Sequence, residues 1–252
     1  MSKLSINISG AGSPLILIHG WGWNSTIWDS LLPQLEKKYQ VFAVDLPGFG
    51  KSSLLTNDYT FAEIVPILLE HLPQEATWLG WSLGGLFALW TAIHFPERVT
   101  KLITVASSPK FVAEENWPGI PTSTLEKFSA RLLSDPKQSL LDFLELQLRG
   151  SPHRELLFAE LSQKLFSEDR DLLPGLMGGL ALLRDTDLRR EMKKIKCPSL
   201  HILGQRDTIV PVSIAELAFS GLPESHYEIM KNTGHMPFLT HGDIFLLLVS
   251  NF

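Results

Sequence analysis

Cysteine is almost absent. Cys197 is the only one in 252 residues, which leaves no disulfide framework and no thiolate zinc site. It stands before Pro198 at the start of an apolar run and reads as a buried structural thiol. A basic excess is missing too. Lys and Arg number 22 against 27 Asp and Glu, a net charge of −5, so the electrostatic footprint of a nucleic-acid surface is lacking. No run reaches the ~18 apolar residues of a membrane span, and the first residues carry no apolar signal segment. The expected location is the cytoplasm, and a monomer is expected. There is no internal repeat, no low-complexity stretch and no His-Glu-x-x-His. Gly50-Lys51-Ser52 ends like a phosphate-binding loop, but that motif requires glycine where Asp45 stands. Ser107-x-x-Lys110 and Ser134-x-x-Lys137 lack the Ser-Asp-Asn and Lys-Thr-Gly companions of a β-lactamase. No metal and no organic cofactor is expected.

What is present is an α/β rhythm. Leu4–Ser9 alternates like an edge strand, and Leu15–Ile18 and Val41–Val44 are continuous apolar runs, the pattern of strands buried on both faces. Trp28–Lys37 and Phe61–Leu72 are predicted helices, Pro66 being a first-turn or kink residue. Thr77–Leu79 is strand, Leu83–His94 helix and Val99–Val105 strand. From Lys110 to Arg190 the periodicity is helical only, over Pro121–Leu133, Pro136–Leu148, His153–Phe166 and Leu172–Leu183. The rhythm then resumes with strands at Ser199–Leu203 and His226–Met230, and helices at Val212–Ser220 and Ile244–Asn251. The expectation is an α/β fold: a mostly parallel sheet with helices on both faces, built from residues 1–109 and 191–252, with an all-helical cap inserted at 110–190.

The chemistry centres on Gly80-Trp81-Ser82-Leu83-Gly84-Gly85, lying between predicted strand and helix. This is a nucleophile elbow: the glycines make room for a sharp corner, and Ser82 is held at a helix N-terminus where free N–H groups stabilise an oxyanion. In elbow folds the order is Ser, then acid, then His. Among eight histidines, His235 follows the last predicted strand, where an open α/β sheet keeps its active site. Asp207 follows the preceding strand; Asp185 and Asp187, near the end of the cap, are weaker candidates for the acid. The oxyanion donors expected are the N–H of Leu83 and, from the loop His19-Gly20-Trp21-Gly22, that of Trp21.

These stretches resemble the α/β-hydrolase superfamily over essentially the whole chain. Within it the chain is similar to the BioH family, the pimeloyl-[acyl-carrier protein] methyl ester esterases of biotin synthesis. The resemblance is carried by His19-Gly20-Trp21-Gly22, Asp45-Leu46-Pro47-Gly48-Phe49-Gly50, Trp78 to Leu86, His94 to Val99 and Val105 to Pro109. In the cap, Trp117 to Ile120, Phe143 to Gln147 and Gly178-Gly179-Leu180 add to it. It implies Ser82, Asp207 and His235 as nucleophile, acid and base. It also implies substrate contacts from Trp21, Ser82, Leu83, His235 and the stretch Phe143, Leu144, Glu145, Leu146 and Gln147. The implied partner is an acidic acyl-carrier protein bearing a pimeloyl methyl ester. Residues 110–190 hold 11 Lys and Arg against 13 Asp and Glu, so docking falls to a local patch of Lys137, Arg149 and Arg154. The alternatives are a hydrolase of the same fold acting on small free esters, lactones or a C–C bond, and a non-catalytic ligand-binding member.

Overall fold

A computed structural model describes residues 3–56, 58–166 and 172–252. Its centre is a seven-stranded sheet formed by β1 (Ile6–Gly10), β2 (Ser13–Ile18), β3 (Tyr39–Val44), β4 (Ala76–Trp81), β5 (Val99–Val105), β6 (Ser199–Gly204) and β7 (Ser225–Met230). The spatial order is β1-β3-β2-β4-β5-β6-β7. Only β1 runs antiparallel, pairing with β3 at the edge. The strand order reverses between β2 and β4, which pair with Ile18 opposite Gly80. The crevice outside the carboxyl ends at such a reversal is where open α/β sheets bind ligands.

Strand alternation explains the two apolar layers. On one face Ile16, Ile18, Phe42, Val44, Trp78 and Leu102 pack against α2 (Phe61–His71) and α3 (Leu83–His94). On the other, Leu15, Leu17, Val41, Ala43, Leu79 and Trp81 pack against residues 25–35 and the C-terminal helix. The burial of β2 and β3 on both faces is what continuous apolar runs demand, each such side chain contributing roughly 1.5–3 kcal/mol. β7 is different: five of its six residues are at least partly exposed, as an edge permits.

Among the described residues, 110–190 add no strand to the sheet. A small loop closed by the bridges Val112–Ile120 and Glu114–Trp117 comes first. Four helices follow: α4 (Thr122–Ser134), α5 (Pro136–Gln147), α6 (Arg154–Leu165) and α7 (Leu173–Asp185). Each begins and ends within two residues of the bounds that periodicity predicts. α7 lies hard against the body. A Cβ on Gly175 would fall 2.4 Å from the carbonyl oxygen of Gly48, and one on Gly178 2.3 Å from the ring of Tyr59.

Two predicted helices are shorter than expected. Trp28–Lys37 is instead a 3₁₀ turn at Ser25–Trp28 followed by α1 (Leu32–Leu35). Pro33 is the reason: it has no N–H to give to Asp29, so it can start a helix but not continue one. Val212–Ser220 narrows to a single π-helical stretch, Ala215–Phe219. Pro66 lies in the interior of α2 rather than in its first turn. Two helices close the chain, α8 (Pro237–Thr240) and α9 (Gly242–Asn251). Among the described residues no helix is long and apolar enough to cross a membrane.

Candidate active site

Ser82 sits between β4 and α3 with φ +54° and ψ −116°, a region that non-glycine residues rarely occupy and that persists only where surroundings over-determine it. The surroundings are glycine. A Cβ on Gly80 would meet the carbonyl oxygen of Gly84 at 2.1 Å, and one on Gly84 would meet that of Ile18 at 2.3 Å. Ser82 N–H donates to the Val105 carbonyl at 2.9 Å. Its own carbonyl accepts from the Ser107 hydroxyl at 2.8 Å and from Gly85 N–H at 3.0 Å. The corner is therefore pinned to the end of β5 on one side and to the first turn of α3 on the other.

The Ser82 hydroxyl lies 2.9 Å from His235 Nε2. His235 Nδ1 lies 2.7 Å from Asp207 Oδ2, while Asp207 Oδ1 accepts from the N–H groups of Ile209 and Val210 at 2.8 and 3.1 Å. Asp207 follows β6 and His235 follows β7, so both side chains come from loops at the carboxyl edge of the sheet. With Nδ1–H donating to the carboxylate, Nε2 is free to accept the serine proton. All three residues are buried. The Trp81 indole N–H donates to the His235 carbonyl at 2.8 Å and holds that loop from beneath.

Across the crevice, Trp23 N–H donates to the Gly20 carbonyl at 3.3 Å, and Gly22 has φ +79°. This is a type II turn, whose third position requires positive φ. Trp21 and Leu83 N–H groups have no hydrogen-bond partner among the described residues. His19 supports the turn: Leu46 N–H donates to its Nε2, and its Nδ1–H donates to the Gly20 carbonyl at 2.8 Å. Burial holds the pKa of His19 below its ordinary value, against the pull of Asp45, so it stays neutral in this role.

An apolar cavity opens over Ser82. Trp21, Phe111, Phe128, Phe143, Leu146 and Leu180 are among its walls; among the described residues Ser82 and Thr124 are its only hydroxyl groups, and no lining side chain is charged. Thr124 is also exposed. Trp21 joins body to helices. Its indole N–H donates to the Leu176 carbonyl of α7 at 2.8 Å, and Phe128 and Phe143 meet its ring edge-on at 5.4 and 5.0 Å.

A sequence model of the alpha/beta hydrolase fold matches residues 13–242. A pimeloyl-[acyl-carrier protein] methyl ester esterase from Photobacterium profundum is 41% identical over 243 residues, 96% of this chain and 95% of that protein. Another, from Vibrio campbellii, is 38% identical over 243 residues, with the same coverage. The chain belongs to the alpha/beta hydrolase family, and within it to the family of these esterases. The solved esterase of Exiguobacterium antarcticum superposes with a TM-score of 0.89 at 25% identity, covering 99% of this chain and 95% of that one.

Against this family background the remaining sequence candidates separate. Of the five consecutive residues of α5, Phe143 and Leu146 line the cavity. Leu144 is buried in the opposite apolar layer, Glu145 is exposed and bridged to Arg154 at 3.3 Å, and Gln147 accepts from the Trp23 indole at 2.9 Å. A helix turns about 100° per residue, so five consecutive side chains cannot share one wall. The Leu83 side chain packs on Gly179 of α7. Asp185 and Asp187 are taken up in surface pairs with Arg184 and Arg189; the Arg189 guanidinium beside Asp187 holds its carboxyl down at about 2. Lys137 is the second residue of α5 and Arg149 lies two residues past its last, Gln147; the helix from 137 to 147 alone spans roughly 15 Å at 1.5 Å per residue, so the basic patch divides. Lys137 lies over the Phe166 ring at 5.4 Å. Glu168, Asp169, Arg170 and Asp171 lie outside the described residues.

Of the other histidines, His201 is a core residue. It stacks on Phe219 at 3.6 Å, its Nδ1 lies 2.7 Å from the Thr104 hydroxyl, and burial lowers its pKa to about 3. Cys197 is only half-buried rather than buried as expected; that partial burial still pushes its thiol up to about 11. The supporting roles of Trp81, Ser107 and Gln147 were not read from sequence. The one available signal was their place beside the elbow and within stretches that resemble the family.

Proposed function

We propose that this protein is a serine carboxylesterase that hydrolyses the methyl ester of a pimeloyl chain carried on acyl-carrier protein, giving methanol and the free acid. The observation that carries the reading is the hydrogen-bonded chain Ser82–His235–Asp207 standing under a cavity with no charged side chain among its described lining residues. A neutral acyl ester suits that cavity, and the relatives at 38–41% identity bear the name of this activity. In this reading residues 1–109 and 191–252 are the hydrolase core and 110–190 a cap whose helices hold the acyl chain.

Ser82 Oγ attacks the ester carbonyl carbon as His235 Nε2 takes its proton, and the C=O electron pair moves onto oxygen. The N–H groups of Trp21 and Leu83 bind that oxyanion, each such donor being worth on the order of 10²–10³ in rate. Asp207 stabilises the imidazolium that forms. Collapse breaks the C–O bond to the methoxy group, which leaves as methanol with the proton from His235. Water then attacks the acyl-serine, giving a proton to His235. The second collapse breaks the bond to Oγ, and the proton returns to it. The rest of the chain leaves past Thr124 toward its carrier, whose acidic surface meets the exposed cations Arg149 and Arg154.

The test is methanol release from pimeloyl-carrier methyl ester by the wild type and by Ser82→Ala. The variant should keep its fold and lose roughly 10⁴-fold or more in kcat. Near-normal turnover by Ser82→Ala would overturn the catalytic assignment. Free short-chain esters turned over far better than the carrier-bound one would overturn the substrate.

A further inference from the structure

We propose that Gln147 is a positioning residue, one that ties the seating of α5 on the acyl chain to the oxyanion turn; this rests on the Ser82–His235–Asp207 reading above. Gln147 is the last residue of α5 and is wholly buried. Its Oε1 accepts from the Trp23 indole N–H at 2.9 Å, whereas its Nε2 has no partner among the described residues. The protein therefore uses the acceptor half of this amide, and uses it on the residue that closes the turn carrying Trp21.

The chain just past that end of α5 presses on the other two catalytic loops. A Cβ on Gly234, beside His235, would lie 2.6 Å from the Arg149 carbonyl oxygen. One on Gly150 would lie 2.8 Å from Cβ of Arg206, beside Asp207. Trp23 also neighbours Trp81, at 6.4 Å between rings, and Trp81 holds the His235 carbonyl. The helix end and the chain just past it thus touch the oxyanion, acid and base loops together. Within the preceding turn the same helix sends Phe143 and Leu146 into the cavity. An acyl chain that fills the cavity bears on those two side chains, and the helix carries the load to Gln147 and so to Trp23. Displacement of a reacting geometry by 1 Å is enough to cost about 10²-fold.

Gln147→Leu removes the acceptor and keeps the volume, Trp23→Phe removes the donor, and Gln147→Glu keeps a carbonyl oxygen. Kinetics are measured on the full chain with acetyl and hexanoyl p-nitrophenyl esters, with Ser82→Ala alongside and melting temperature as the check on folding. Gln147→Leu and Trp23→Phe should each lower kcat by about 10- to 100-fold and change KM far less. The double variant should be no worse than the poorer single one, because the two share one bond. Gln147→Glu should restore most of kcat, and the loss in Gln147→Leu should be larger on the hexanoyl ester. A raised KM with kcat intact would make Gln147 a substrate contact and overturn the proposal. So would losses that multiply in the double variant, or losses equal on both esters. Should Gln147→Leu not fold, Trp23→Phe and Gln147→Glu decide the same question. If Ser82→Ala keeps its turnover, the catalytic reading fails; if it loses turnover while Gln147→Leu and Trp23→Phe keep theirs, only the positioning role falls.

Discussion

Replacing Asp207 by Asn changes one oxygen to an amide nitrogen, and the structure fixes which one. Oδ1 accepts two buried backbone N–H groups, from Ile209 and Val210, and Oδ2 accepts one N–H from His235. If the new amide nitrogen faced Ile209 and Val210, two buried donors would lose their acceptor, at about 1–3 kcal/mol each. If it faces His235, those two bonds survive, and the imidazole answers by moving its proton from Nδ1 to Nε2. The second arrangement wins by the cost of two unsatisfied donors. It leaves Nε2 a donor to Ser82, so the serine has no base. The expected loss is on the order of 10⁴ in kcat, the size seen when a triad carboxylate becomes an amide, or about 5.4 kcal/mol at 1.36 kcal/mol per tenfold. Packing is unchanged, so the melting temperature should stay near that of the wild type. The assay is steady-state hydrolysis of p-nitrophenyl acetate at neutral pH, with thermal melts of both proteins. A kcat within tenfold of wild type, in a protein that melts normally, would refute the reasoning.

Gly175→Ala places a methyl 2.4 Å from the Gly48 carbonyl oxygen; overpacking of that kind costs about 1–3 kcal/mol. The melting temperature should fall by roughly 2–4 °C for each kcal/mol, and an unchanged melt would show that α7 is not held against the body. Reversing Arg149 and Arg154 to Glu together should lower kcat/KM for the carrier-bound ester, and added salt should weaken the wild type on that substrate, because steering by charge fades within a Debye length of about 8 Å. The effect on a small free ester should be much smaller; no loss on the carrier substrate would move docking to another surface.

The elbow was legible because its signal is local. Gly80, Ser82 and Gly84 are needed within one corner, and crowding at that corner is visible in the spacing itself. His235 and Asp207 were legible through order and place, each following a strand that reads clearly as apolar. Pro33 was legible as well, and a stricter reading of its missing N–H would have ended the helix predicted from Trp28. The family stretch Phe143–Gln147 is one block in sequence, although helical periodicity alone divides it between the cavity, the body and solvent. The Trp23–Gln147 bond lay beyond reach. Its partners are 124 positions apart, and neither residue type announces the other. The π-helical turn at Ala215–Phe219 has no sequence pattern distinct from a short α-helix.

The uncharged lining of the cavity also governs how the product departs. The chain end enters as a neutral ester and leaves the chemistry as a carboxylate. Ionised carboxylates are strongly disfavoured in apolar surroundings unless paired, and among the described residues no lining side chain is a cation. Hydrolysis therefore turns a guest that partitions into the cavity into one that partitions into water. In the proposed reaction the solvation of the carboxylate in water favours its release. In the proposed reaction an esterified chain end is told from a free one by solvation, since among the described residues no charged side chain lines the cavity to read the difference.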